Sequence, residues 1–160
     1  MEILPFEQKY CKAVLELNKI SLKNSKYIGK TVNPDWHDDL GKIKQDYLGN
    51  NGVFLLWLDD GRLVGMGGLL RIGANTANVK RIRVHPDYQR KGLSAEILRE
   101  LEQRAKLLGY SKLVANTAKG NVPAEKMFMK AGFVPIDEKE FFSVPCTIFE
   151  KKLKLKANEK

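Results

Sequence analysis

The sequence predicts an α/β (α+β) fold in which a central sheet and its flanking helices share a core, and three observations carry that expectation. The chain has 160 residues, 43% of them hydrophobic, which suits one globular domain with a core of ordinary size. We assign residues 1–155 to that domain and 156–160 to a basic C-terminal tail. Two apolar runs, Val53 to Leu58 and Leu63 to Leu70, flank Asp59-Asp60-Gly61, whose Asp-Gly pair signals a hairpin between two strands. Finally, Val79 to Phe133 reads as strand, basic turn, amphipathic helix, second strand and shorter helix.

Taken in order, Glu2 to Pro5 is a short first strand. Phe6, Tyr10, Val14 and Leu17, with Cys11 and Leu15 beside them, fall on one stripe at helical spacing, which predicts a core-facing helix ending near Ser21. Asn24 to Val32 is polar and irregular. Asn33-Pro34-Asp35 then combines an N-cap residue, a first-turn proline and a first-turn acid, a helix start. Trp36, Leu40, Ile43 and Tyr47 continue that helix on one face, and Gly49-Asn50-Asn51-Gly52 stops it.

Gly65-Met66-Gly67-Gly68 lies within the return strand of the hairpin. A dinucleotide-binding fingerprint needs its glycines to open a helix, so this run instead points to a bulge or to close packing. In the strand Ala77 to Val84, Ile82 and Val84 share a face and Val79 falls on the other. One extra residue near Lys80-Arg81, a β-bulge, restores the alternation; otherwise Val79 packs across the sheet. The long helix spans about Gly92 to Leu108, buries Ile97, Leu98, Leu101, Ala105 and Leu108, and ends at Gly109. Lys112 to Thr117 is a strand. Asn121-Val122-Pro123 caps and opens the second helix, which ends at Gly132. Phe133 to Ile136 and Thr147 to Leu153 are closing strands, and the chain from Lys156 onward frays.

The turn His85 to Ser94 carries the chemistry. A helix start leaves backbone N–H groups unpaired at the positive end of the helix dipole, an arrangement that binds anions. Here Arg90 and Lys91 add charge that a phosphate can use. Gln89-x-x-Gly92-x-Ser94, preceded by Val84-x-Pro86, resembles the Q/R-x-x-G-x-G/A signature of the GNAT superfamily of N-acetyltransferases. Thr117-x-x-x-Asn121-x-x-Ala124 followed by Phe128-x-Lys130-x-Gly132-Phe133 is similar to that family's second block, in the same order and at the family's spacing.

The resemblance is firm over 79–133. It implies a mixed, mostly antiparallel sheet of about six or seven strands with about four helices, and with strands 4 and 5 splayed apart. It also implies acetyl-CoA as cofactor. By the same resemblance, the pyrophosphate lies on Gln89, Arg90, Lys91, Gly92, Leu93 and Ser94, while the pantetheine arm runs along Ile82, Arg83 and Val84, touching Asn121 and Phe128. The polar segment Asn24 to Val32 falls where the family covers its acceptor. The activity implied is direct transfer of acetyl to an amine in a ternary complex.

The chain departs from the family at three positions. Ser94 stands where Gly or Ala is usual. Phe128 replaces a Tyr that protonates the leaving thiolate in many relatives, and Asn78 replaces a Glu base found in several. Asp38 and Asp39 are the remaining carboxylate candidates, and no catalytic residue is assigned. Tyr88, Tyr110 and Cys146 are also left without a role.

Composition bounds the rest. Part of the net charge of +9 lies in a lysine-rich C-terminus (Lys151, Lys152, Lys154, Lys156 and Lys160, against Glu150 and Glu159), and a second cluster, Lys80, Arg81, Arg83, Arg90 and Lys91, flanks the basic turn. Such a field favours anionic ligands and nucleic acid alike and disfavours a polycationic substrate. A basic nucleic-acid module is therefore one alternative, though the basic residues lack interleaved aromatics; a CoA-binding protein that has lost catalysis is the other. Two cysteines and two histidines, widely spaced, form neither a metal pattern nor a disulfide framework. With no signal-peptide pattern or long apolar run, the expected setting is cytoplasmic, as a monomer or homodimer.

Overall fold

The apolar run at Val53–Asp59 forms β2. Phe54 to Leu58 are all buried, so this strand is covered on both faces, as a continuous apolar run in a central position should be. The computed structural model describes residues 1–22 and 39–154. β2 pairs antiparallel with β1 (Glu2–Pro5) on one side and with β3 (Arg62–Arg71) on the other. The β2–β3 turn uses Asp60 at φ 51° and Gly61 at φ 81°, the positive pair that a primed two-residue turn requires.

The sheet has seven strands in the order β1-β2-β3-β4-β5-β7-β6. β4 is Thr76–Val84, β5 Lys112–Ala118, β6 Val134–Phe141 and β7 Val144–Lys152. β4 and β5 run parallel, while the other strand pairs among the described residues are antiparallel. Parallel pairing ends at Val79↔Ala115. Beyond it the two strands part, which is the predicted splay.

The cause is the bulge expected at Lys80-Arg81. Gly68 faces Lys80 and Met66 faces Arg83, so Arg81 and Ile82 together oppose Gly67. Arg81 takes a φ of 59°. The extra residue returns Val79, Ile82 and Val84 to one face, the face covered by α3 (Leu93–Leu107).

The glycines of β3 make that cover possible. A Cβ on Gly67 would lie 2.7 Å from Ile97 Cγ2 and 3.0 Å from Leu101 Cδ1, and one on Gly65 3.1 Å from Ile97 Cδ1. α3 therefore sits directly on the strand, burying Leu93, Ile97, Leu98, Leu101 and Ala105. α4 (Val122–Lys130) covers the same face further along, where Phe128 joins Phe133 and Phe149 in the core.

The opposite face is covered by α1 (Cys11–Leu22) and by the segment containing α2 (Ile43–Asp46). Val14, Leu17, Leu40, Ile43, Tyr47 and Met66 meet there. Three expectations need correction on this face and at the far edge. The first helix begins at Cys11 after a 3₁₀ turn at Gln8–Tyr10 rather than at Phe6, and Leu15 is 45% exposed. With that start Val14, Leu17 and Asn18 form the buried side, and Leu15, one residue past Val14, turns outward.

The long helix expected from Asn33 is, over its described part, broken into a 3₁₀ turn at 39–41, α2 and a second 3₁₀ turn at Leu48–Asn50. Its start, Trp36 and the polar segment Asn24 to Val32 lie outside the described residues, as does the tail from Lys156. The closing strands are longer than expected. β6 continues through the charged run Asp137 to Glu140 to a turn at Phe142 and Ser143, both at positive φ. An edge strand with every residue before Phe141 exposed has no apolar alternation to betray it, and the turn lacks the usual Gly or Asn.

Candidate functional site

The basic turn is held to the sheet by side chains on its inner side. Gln89 Nε2 donates to Val84 O at 2.9 Å, closing the turn onto the end of β4. His85 Nδ1 accepts from the Asp87 N–H at 3.0 Å, capping the 3₁₀ turn Pro86–Tyr88. Tyr88 donates its hydroxyl to Asp59 Oδ2 at 2.5 Å, tying the turn to the β2–β3 hairpin. That bond, with some burial and the Asp59 charge, pushes the Tyr88 hydroxyl above the usual phenol range. Tyr88 is thus an anchor and a poor acid, and Lys91 Nζ lies 5.9 Å from its ring centroid.

Past Gln89 the turn offers backbone. Arg90 and Gly92 have φ of 63° and 84°. No side chain caps α3, and its first turn closes with the Glu96 N–H bonded to Gly92 O at 3.1 Å. Among the described residues, the N–H groups of Arg90 to Ala95 donate to no backbone carbonyl outside the helix. A Cβ on Gly92 would meet nothing within 4 Å, so the space in front of the helix start is open. Leu93 is buried and presents only its N–H; Ser94 is partly exposed.

This opening leads into the gap between β4 and β5. Along it, Ile82 O accepts from Arg83 Nη1 at 3.0 Å and Val84 O from Gln89; each carbonyl keeps a second lone pair. Across the gap, Asn121 Oδ1 caps α4 by accepting from the Ala124 N–H at 3.4 Å, which leaves the Asn121 amide NH₂ uncommitted. Phe128 is buried, stacked on Phe149 with centroids 5.6 Å apart and edge-on to Phe133 at 5.3 Å.

The α1 side of β4 carries charge. Arg81, at the bulge, donates to Asp39 from Nε (3.2 and 3.1 Å) and Nη2 (2.5 Å), while Tyr47 donates to Asp39 Oδ2 at 2.5 Å. Burial alone raises the Asp39 carboxyl, but the Arg81 hydrogen bonds and charge, the Tyr47 bond and the Lys80 charge outweigh it. The net result is below the usual carboxylate range. Asp39 is therefore a buttress for the bulge and no base near neutrality. Asp38 lies outside the described residues.

Arg83 donates from Nε to Asn18 Oδ1 of α1 at 2.9 Å. Lys80 faces the same side, and Asn78 Oδ1 is buried with no hydrogen-bond partner among the described residues. Tyr110, whose hydroxyl donates to Asn51 O at 2.6 Å, and Cys146, whose thiol burial pushes up, are packed parts of the frame.

The turn follows directly on the splayed end of β4, and Asn121 and Phe128 lie on α4, which follows β5 across the gap. Sequence reasoning missed the Asp39–Arg81–Tyr47 and Asn18–Arg83 bonds, which join residues 42 and 65 positions apart, respectively, through Asp39 to Arg81 and Asn18 to Arg83. A lone Asn on a buried helical stripe was the available sign of the second.

Comparison with known proteins gives three results. The family model described as "Acetyltransferase (GNAT) family" matches residues 17–133. N-acetylaspartate synthetase of Danio rerio is 27% identical over 111 residues, covering 68% of this chain and 39% of that protein, so the chain spans well under half its length. Among solved structures, an acetyltransferase of the GNAT family from Staphylococcus aureus Mu50 superposes with a TM-score of 0.83 at 21% identity, covering 96% of this chain and 99% of the other. The Salmonella typhimurium protein YncA, solved with its cofactor acetyl-CoA, gives 0.74 at 21%, covering 98% and 96%.

Proposed function

The chain belongs to the GNAT acetyltransferase family, and on that premise we propose that it transfers acetyl from acetyl-CoA to a primary amine by direct attack in a ternary complex. The observation that carries this reading is the uncapped start of α3 opening into the gap that the β4 bulge creates. The residues there fit the cofactor. Backbone N–H groups from Arg90 to Ser94, with the Arg90 and Lys91 side chains, suit a pyrophosphate. Gln89 holds that turn in place rather than contacting the phosphate through its amide. The free edge of Ile82 to Val84 suits an amide-bearing arm, and the spare NH₂ of Asn121 and the apolar wall at Phe128 suit its far side.

Acetyl-CoA supplies the activated acyl group as a thioester. The chain supplies position, exclusion of water and backbone donors on β4 for the developing oxyanion. Neither Asn78 nor Asp39 takes the amine proton near neutrality, and Phe128 offers no proton to the thiolate. A thiol with a pKa near 8.5 leaves without such help.

Calorimetric titration with acetyl-CoA tests the site. Wild type should bind in the micromolar range. Gly92→Glu should abolish binding by placing bulk and negative charge against the phosphates, whereas Gly92→Asn, which tolerates positive φ, should retain most of it. Unchanged affinity in a folded Gly92→Glu variant overturns the phosphate site. Free-thiol detection with a panel of amines tests transfer: binding without amine-dependent thiol release would favour a CoA-binding protein that has lost catalysis.

A further inference from the structure

The charge on the α1 side of β4 is unbalanced. Lys80, Arg81 and Arg83 lie within four residues on the strand that borders the gap. Arg81 holds Asp39. Among the described residues, Arg83 donates only to neutral oxygens, Asn18 Oδ1 and Ile82 O, and Lys80 has no ion pair or hydrogen bond. Lys80 and Arg83 are half-buried. A cation withdrawn from water without a counter-ion is costly, and burial and the neighbouring Arg81 charge push both Lys80 and Arg83 down, Arg83 to about 10. Asp39, whose charge reaches both and partly offsets this, is already held by Arg81, so among the described residues two positive charges stand partly desolvated without an ion pair of their own.

Their direction matters. Lys80 pairs across the ladder with Gly68 and Arg83 with Met66. Met66 packs with Val14, Leu17 and Tyr47 on the α1 side. α3 lies on the other face, against Gly65, Gly67 and Ile82. A cofactor whose phosphates sit at the start of α3 enters from the α3 side, which leaves the α1 side to the second substrate.

We propose that the acceptor is a small amine bearing carboxylates, which Lys80 and Arg83 bind on the α1 side of the β4–β5 gap. This rests on the acetyltransferase reading and adds the acceptor's class. Two cations with no ion pair of their own among the described residues match an amine with two carboxylates, such as an amino acid with an acidic side chain. Arg83, positioned by Asn18 at Nε and by Ile82 O at Nη1, has Nη2 left to donate to a carboxylate, and Lys80 serves as a point charge. The same field repels cationic acceptors, so it selects by rejection as well as attraction.

The test measures acetyl transfer to matched amines: aspartate and glutamate, their side-chain amides asparagine and glutamine, and lysine as the cationic case. The acidic amines should exceed their amides in kcat/KM by roughly tenfold or more, the scale of one charge-assisted hydrogen bond. Lys80→Met and Arg83→Met should raise KM for the acidic amine by a similar factor, and Lys80→Met, which lies outside the stretch assigned to the cofactor arm, should leave acetyl-CoA affinity by calorimetry unchanged within about twofold. Because Arg83 also anchors α1, Asn18→Ala serves as control: it removes the anchor, keeps the charge and should leave most of the acidic preference. Lys80→Glu should turn the preference toward lysine.

Equal rates with acids and amides, or a preference for lysine in wild type, overturns the proposal while transfer itself stands. Loss of acetyl-CoA binding in Lys80→Met, with the acceptor KM unmoved, overturns it too by moving that cation to the cofactor. A wild-type protein that binds no acetyl-CoA overturns the acetyltransferase reading instead.

Discussion

A carboxylate that accepts hydrogen bonds from a guanidinium and from a phenol has its lone pairs committed, and Asp39 is in that state. Its side chain is 13% exposed and that of Arg81 9%, so solvent screens the pair weakly. Asp39→Asn would leave Arg81 buried at the bulge without its counter-charge. We expect a loss of about 3 kcal/mol, the lower end for breaking a buried pair, or a Tm lowered by roughly 6–12 °C for a chain of this size. Because the folded carboxyl is held below its unfolded value, its contribution is complete above the unfolded pKa near 3.9. It is lost as pH falls through the lower folded value. Urea titrations at pH 7 and pH 3 check both parts: the gap between wild type and Asp39→Asn should narrow at the lower pH. A gap that is absent at pH 7 would show that the bulge holds its shape without the pair.

At the scale of elements, the fit between β3 and α3 sets the cleft. Gly67 opposes the bulge and leaves no room for a Cβ beneath Ile97 and Leu101. Gly67→Ala should therefore cost about 1–3 kcal/mol by overpacking, since α3 must step away from the strand that carries the gap. Combined with Ile97→Ala, which vacates the space, it should cost less than the sum of the two changes; strict additivity in denaturant titrations would mean that α3 moves freely. These contacts also bear on what sequence could reveal. The glycine run pointed to close packing because a glycine fingerprint needs a helix after it. The parity break at Val79 pointed to the bulge because alternation has period two. Both are local rules, and both elements lie where they were expected. The β6–β7 hairpin escaped because its turn, Phe142-Ser143, takes positive φ without Gly or Asn and its edge strand faces solvent. The Asp39–Arg81 and Asn18–Arg83 bonds escaped for a different reason, since partners that distant along the chain leave no periodic trace.

For the whole molecule, the question is where the amine's proton goes. A primary alkylamine has a pKa near 10, so at neutral pH about one molecule in a thousand is ready to attack. Asn78 is an amide with its oxygen buried, Asp39 is already committed, and Phe128 carries no hydroxyl. The +9 net charge, concentrated around the gap by Lys80, Arg81 and Arg83, disfavours the ammonium form of a nearby amine and so lowers its pKa. The proton then leaves to solvent, and the neutral fraction of bound amine sets the rate. The expected profile climbs with pH through neutrality towards the pKa of the bound acceptor, about tenfold per unit well below it, with no side-chain plateau near pH 6–7. Asn78→Glu should move the onset to lower pH by adding a carboxylate on β4. Raising the salt concentration should shift the wild-type profile to higher pH, because screening weakens the field that depresses the amine. A wild-type rate that is flat above pH 7 and is lost in Lys80→Met would overturn this account. It would assign the proton instead to Lys80, whose ammonium burial and the Arg81 charge push down.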